Sequence, residues 1–171
     1  YDIENQTVNY FRQTSIEKTI PVRNVRSVGN NYTVFATETF IDEVSQEIGV
    51  DPMAFRLNYL KGIGINAGSN TPASYGGGKR LANVLKIASG LANYGLENLG
   101  EYEGLGIAIT GAENRWAPCF LALVAKVNVD KNSAAINVQK LTCVLDVGIA
   151  INPDGIRAQV EGSLLWGLSN A

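Results

Sequence analysis

Between residues 104 and 148 three apolar segments follow one another at sheet-like spacing, and this limits the fold more than any other feature of the chain. "GLGIAITG" sets Leu105, Ile107 and Ile109 against small residues. "CFLALVAKVNV" repeats Leu121, Leu123, Ala125, Val127 and Val129 at every second place. "DKNS" supplies a turn, and "AINVQKLTCVLDVG" returns as a third segment whose phase shifts near Lys140. A period of two is that of a strand whose side chains alternate between faces, and one extra residue in a ladder shifts the phase. The spacing therefore predicts strands in a mixed or antiparallel sheet, with a bulge near Lys140.

The first half carries a different period. "TVNYF" and "KTIPVRNV", within residues 1–28, read as extended segments. Val34, Ile41, Val44 and Ile48 then recur at helical spacing, predicting a helix from about Asn31 to Ile48, with Asn30 or Asn31 as its cap and Gly49 at its end. In "VDPMAFRLNYLKG", Asp51 is a good N-cap, Pro52 suits the first helical position and Gly62 stops the turn. Gly62 to Gly78 reads as loop, and Leu81, Val84, Leu85, Ala88 and Leu91 form the apolar stripe of a third helix. After the strands, Asn152 and Pro153 open a last helix, in which Ile156, Val160 and Leu164 are expected to pack inward. Helices followed by strands, without strict alternation, predict an α+β fold.

Composition narrows the chemistry. The chain has 171 residues, 46% hydrophobic and 18% charged, which is ordinary for a globular protein. Its net charge of −2 gives no electrostatic case for nucleic acid or anionic membranes, and no apolar run approaches the roughly 20 residues of a membrane span. There is no His, which removes Ser-His and Cys-His nucleophile pairs and the HExxH zinc site from consideration. Two cysteines, Cys119 and Cys143, fall short of the four ligands an iron–sulfur cluster normally takes. Spacing leaves open whether they pair or pack as two buried thiols.

Several motifs admit both a chemical and a structural reading. "SYGGGKR" fails as a phosphate loop, because Ala73 stands where the first Gly belongs and Arg80 replaces the magnesium-binding Ser/Thr. "GLGIAITGAEN" has the glycines of a dinucleotide fingerprint, but inside a strand pattern. Glu38 lies within the apolar stripe of the first long helix, so it requires a partner; Arg26 and Arg56 are the candidates for a structural ion pair. Arg26, Ser27, Val28 and Gly29 precede a helix N-terminus, which is either an anion site or a simple tight turn. Gln159, on the last helix, is either a satisfied core amide or a group offered to a ligand.

Two segments, "RSVGNNYTVFATETFIDEVSQEIGVDPMAFRLNYL" (26–60) and "LDVGIAINPDGIRAQVEGSLLWGLSNA" (145–171), resemble the large, molybdenum-binding subunit of the xanthine dehydrogenase and aldehyde oxidase family. The beta chain of isoquinoline 1-oxidoreductase is the branch they look most like. The likeness covers most of the chain and is weakest over 62–100. It implies a fragment of the molybdopterin-binding domain spanning 1–171, with about 1–95 mostly helical and about 101–171 made of strands plus a cofactor-proximal helix.

By position, the resemblance puts Arg26 where the family's backbone amide approaches an oxygen ligand of molybdenum, and Gln159 where a side-chain amide contacts the cofactor. Val28 falls in the substrate pocket, where xanthine dehydrogenases place a stacking Phe; as a Val it is ill-suited to stack a purine. No side chain here is expected to ligate the metal. The family's glutamate base is expected beyond Ala171, and its main pterin-gripping loops before Tyr1, so the fragment alone is expected to be inactive.

The cofactor implied is molybdenum-molybdopterin, in bacteria usually the cytosine dinucleotide form. The reaction implied is hydroxylation of an aldehyde or N-heteroaromatic carbon with water-derived oxygen. Electrons would pass to a small iron–sulfur subunit and on to an acceptor such as a cytochrome. The compartment is cytoplasm or periplasm, and the resemblance leans to the periplasm. The competing expectation is a non-enzymatic interaction or assembly domain that keeps the fold without the cofactor.

Overall fold

The computed structural model describes residues 1–5, 26–61, 77–114 and 117–171, with isolated positions 7, 9, 11, 15 and 19. The continuously described residues contain the helices α1 (Asn30–Glu47), α2 (Pro52–Asn58), α3 (Gly77–Leu91) and α4 (Pro153–Leu168) and the strands β1 (Glu103–Asn114), β2 (Ala117–Val129) and β3 (Ile136–Asp146). The fold is α+β. The extended readings of 7–11 and 18–25 fall largely outside the described residues, although Thr19 is helical. Gly62, expected to stop α2, and the loop predicted over 62–76 lie outside them altogether.

Local chemistry sets each helix end. Gly49 takes φ +67 and the Val50 amide returns to the Ser45 carbonyl at 2.8 Å, closing α1 in the left-handed turn that Gly favours. Asp51 caps α2 by accepting from the Ala54 amide at 2.8 Å, and Pro52 spends no hydrogen-bond donor there. Asn152 does the same for α4, accepting from the Gly155 amide at 3.0 Å. Two expectations need correction. Gly29, not Asn30 or Asn31, is the N-cap of α1, because the helix begins one residue early. Gly77 and Gly78 belong to α3 and not to the preceding loop.

The strands form an antiparallel meander in the order β1-β2-β3. Asp130 builds the β2–β3 turn, its Oδ1 accepting from the Asn132 and Ser133 amides at 2.9 and 2.8 Å; these donors hold its carboxyl below the usual range. Lys126 pairs with Lys140 but Val127 pairs with Val138, so Gln139 is the extra residue and the predicted bulge is present. The like charges at Lys126 and Lys140 are tolerable because Lys126 also meets Glu97 at 2.7 Å and Glu103 at 3.4 Å.

The core lies between α3 and one sheet face: Val84, Leu85, Ala88 and Ala92 against Ile107, Ile109, Phe120, Ala122 and Val124. Side chains as fully buried as Val84 and Leu85 each contribute about 1.5–3 kcal/mol relative to exposure. On β1 the buried residues belong to the alternating set the sequence picks out, while on β2 they belong to the other set. Leu121, Leu123, Ala125 and Val127 are only half-buried, on the far face. Both faces of β2 are apolar, so alternation alone could not choose between them.

That far face looks toward α4. No residue of α4 is buried; Ile156, Val160 and Leu164, expected to pack inward, are half-buried, the first two along an open apolar cleft.

Candidate functional site

Arg26 opens a turn in which two consecutive non-glycine residues, Ser27 and Val28, have φ of +64 and +49. Such a conformation costs roughly 1–3 kcal/mol per residue and is least natural for a β-branched side chain such as Val. The Asn30 amide donates to the Ser27 carbonyl at 2.9 Å, which closes the turn. Gly29 then starts α1 with no side-chain cap. An uncapped helix start presents unpaired N–H groups and partial positive charge.

Across an open edge stands α4. The Arg26 guanidinium donates from Nη2 to the Gln159 Oε1 at 2.5 Å and, at 3.5 Å, to the Gln159 carbonyl, joining residues 133 apart. The Ser163 hydroxyl also donates to that carbonyl at 2.6 Å. Guanidinium can only donate, so the amide atom it touches must be the oxygen. The Gln159 NH₂ is thereby left to donate elsewhere. The structure thus brings Arg26 and Gln159 together, with Val28 exposed two residues from Arg26 in the same turn. Gln159 is exposed, which removes the core-amide alternative.

Beside this junction lies a cleft of about 720 Å³, between the far sheet face and α4. Leu121, Leu145, Val147, Ile149, Ile151, Ile156 and Val160 line it, with Asn152, Gln159 and Ser163 as its polar groups. Its volume falls in the range of small-molecule and cofactor clefts.

Glu38 resolves in favour of structure. Arg56, not Arg26, is its partner: Arg56 Nε donates to Glu38 Oε2 at 2.9 Å, and neither side chain is more than 7% exposed. Arg56 also donates to Asp42 Oδ1 at 2.6 Å, to the Pro52 carbonyl and to the Glu38 carbonyl. Glu38 further accepts from the Tyr1 hydroxyl at 2.7 Å and the Ile109 amide at 2.9 Å. Burial alone would weaken the hold of Arg56 on its proton, yet Glu38 and Asp42 carry it above the usual arginine value. Burial and the Glu38 charge push the Tyr1 hydroxyl well above the usual tyrosine range.

The two phosphate-motif candidates are accounted for. "GLGIAITGAEN" is β1. Arg80 is committed to Asp146 through a fork, Nε to Oδ2 at 2.7 Å and Nη2 to Oδ1 at 2.6 Å, and stacks 4.5 Å from the Phe120 ring centroid. Nothing in the local spacing of the sequence pointed to this pair; the available signal was an Asp closing an apolar strand two residues before a Gly. Cys119 and Cys143 are free. Cys143 pairs with Leu123, which puts Cys119 four places, roughly 13 Å, along the ladder and out of disulfide reach. Burial raises the Cys143 thiol. Among the described residues no group of three or more His, Cys, Asp or Glu could hold a metal ion, and no helix is long and apolar enough to cross a membrane.

The chemistry of the junction suits an anionic group rich in oxygen and sulfur acceptors. Arg26 and the Gln159 NH₂ are donors, and an apolar wall adjoins Gln159. Residues 62–171 match the molybdopterin cofactor-binding domain family. The chain belongs to that family. It is 37% identical over 169 residues to the membrane-bound aldehyde dehydrogenase [pyrroloquinoline-quinone] of Gluconacetobacter polyoxogenes, covering 99% of this chain and 22% of that protein. It is 26% identical over 171 residues to the beta chain of isoquinoline 1-oxidoreductase from Brevundimonas diminuta, covering 100% and 19%. To the B chain of nicotinate dehydrogenase from Pseudomonas putida it is 27% identical over 176 residues, covering 99% and 14%. The chain therefore spans about a fifth or less of the length of these relatives.

Proposed function

We propose that residues 1–171 form one piece of the molybdopterin-binding domain in the large subunit of a molybdenum hydroxylase. Arg26 and Gln159 hold the cofactor there, and Val28 borders the substrate. The observation that carries this reading is the 2.5 Å hydrogen bond from Arg26 to Gln159 beside a strained turn and an uncapped helix. Bound there, the molybdenum group supplies two-electron oxidation with oxygen drawn from water. An aldehyde or N-heteroaromatic carbon gains that oxygen and gives up two electrons and two protons.

The chain's own residues orient and shield. Arg26 fixes the Gln159 oxygen, so the NH₂ faces the cofactor as a neutral donor. The Ser27–Val28 turn, closed by the Asn30 amide, sets in advance the positions of the α1 first-turn amides beyond Asn30, and preorganised donors cost no rearrangement during reaction. Val28 leaves room beside the reacting carbon without stacking on it. The apolar wall of the cleft beside Gln159 offers a surface on which an apolar part of a ligand can rest. A base from elsewhere in the protein handles the proton, and a small iron–sulfur subunit takes the electrons, with a cytochrome as further acceptor. The cytosine dinucleotide form of the cofactor and a periplasmic location complete the proposal.

A second reading has one observation behind it: the 37% identical aldehyde dehydrogenase bears pyrroloquinoline quinone in its name. Metal and quinone analysis of the full-length protein separates the two. Molybdenum near one per chain is the expected result. Quinone without molybdenum would support the second reading, and neither group would support a non-enzymatic assembly domain.

A further inference from the structure

Among the described residues no element packs broadly on α4, and none of its own residues is buried. A six-residue connector, 147–152, links it to β3; within it Ile149 and Ile151 are about 90% exposed. What the described residues contribute to the position of α4 is the root of its connector.

Asp146, the last residue of β3, is directly opposite Phe120 in the ladder. Phe120 is part of the core, and Arg80 of α3 lies over its ring at 4.5 Å while gripping Asp146 with both arms of its fork. A planar fork on a carboxylate fixes direction as well as distance. Asp146 Oδ1 also accepts from the Gly148 amide at 2.8 Å. Gly148 has φ +72, a turn that L side chains rarely adopt, and its α-carbon sits close enough that an added methyl would lie 3.8 Å from Arg80 Nη2. The connector therefore leaves the sheet in a direction set by one carboxylate, itself set by one guanidinium packed on the core.

We infer that the Arg80–Asp146 fork is the positioning element for Gln159, aiming α4 so that Gln159 meets Arg26. The inference rests on the proposed role of Gln159, but its geometry can be tested apart from that role. Arg80 and Asp146 act through the connector, and neither lines the cleft at Gln159.

The experiment is hydrogen exchange, peptide by peptide, on the full-length protein as wild type, Asp146→Ala, Asp146→Asn and Arg80→Lys, with molybdenum content measured on the same samples. Asp146→Ala is expected to speed exchange across 147–160 by about tenfold, the loss of roughly one hydrogen bond's worth of local protection, and to leave α3 and β2 unchanged. Asp146→Asn keeps an acceptor for the Gly148 amide, so protection should return to within about threefold of wild type. Arg80→Lys keeps the charge but not the fork, and should fall between Asn and Ala. Molybdenum content should follow the same order.

Unchanged exchange over 147–160 in Asp146→Ala would overturn the inference. So would equal loss across α3, β2 and 147–160, which is the signature of general destabilisation. Should Asp146→Ala not fold, Arg80→Lys carries the same comparison with the same two contradicting outcomes. Wild-type protein without molybdenum would contradict the proposed function, while the exchange pattern would still decide this inference.

Discussion

Arg56 reaches back from α2 to Glu38 in a place where its own side chain has no exposure, whereas Arg26 reaches from a strained turn to Gln159 across an open edge. Around Arg56 every neighbour is already engaged: Glu38 takes Arg56, Tyr1 and a β1 amide, and Asp42 and two carbonyls take the other guanidinium nitrogens. Around Arg26 the partner is a neutral amide with donor capacity left over. A closed network ties α1, α2 and β1 together through donors and acceptors already paired with one another. An open one holds donors in place and offers them. On the proposed function, buried charge is a poor guide to the site, and the weaker, exposed hydrogen bond is the better one.

The contrast is broken or sharpened by substitution. The largest effect belongs to the closed network. Glu38→Ala strands a buried Arg56 and should cost about 3–5 kcal/mol in the intact protein, against about 0.5 kcal/mol or less for the exposed Glu47→Ala. Equal denaturation midpoints for the two would remove the distinction.

Next comes Tyr1→Phe, which deletes one hydrogen bond to a charged group and should cost about 1.5–3 kcal/mol. Because the folded Tyr1 hydroxyl titrates above its unfolded value, its contribution is complete below pH ~10 and is lost as the pH rises beyond it. The wild-type advantage over Tyr1→Phe should therefore shrink in alkali; an advantage constant up to pH ~12 would contradict the assignment.

Asp146→Asn should cost less, about 0.5–1 kcal/mol, since both partners of the fork are partly exposed. Arg80 first, and the Gly148 amide after it, lower the Asp146 carboxyl below its ordinary value. Its contribution is therefore present above pH ~3.9 and lost as the pH falls further. Acid melts of the two proteins should converge, and a gap that persists at pH ~2 would argue against the pair.

Much of the fold could be read from the sequence because the signals are local. Asp51-Pro52 and Asn152-Pro153 mark helix starts by the hydrogen bonds their side chains make, and the phase shift near Lys140 marks the bulge directly. What could not be read is long-range. Leu121 and Phe120 are equally apolar, and only the position of α3 decides which one is buried. Glu38 announced a partner, but choosing Arg56 over Arg26 required the fold of α2. Arg26 and Gln159 could be named separately from family resemblance; their hydrogen bond spans 133 residues and leaves no trace in local spacing. The Arg80–Asp146 fork was missed for the same reason.

The smallest stability effect goes with the central claim, that the open junction serves a bound group while the closed network serves the fold. Gln159→Leu keeps much of the side-chain bulk and removes both hydrogen-bonding functions from an exposed position. Melting temperature and molybdenum per chain, measured together on the full-length protein, are the direct test. The account predicts a stability change within about 0.5 kcal/mol and a clear loss of molybdenum, because the missing amide donor is worth roughly 1.5–3 kcal/mol toward a charged group. Full molybdenum content in Gln159→Leu, with wild-type turnover, would contradict it.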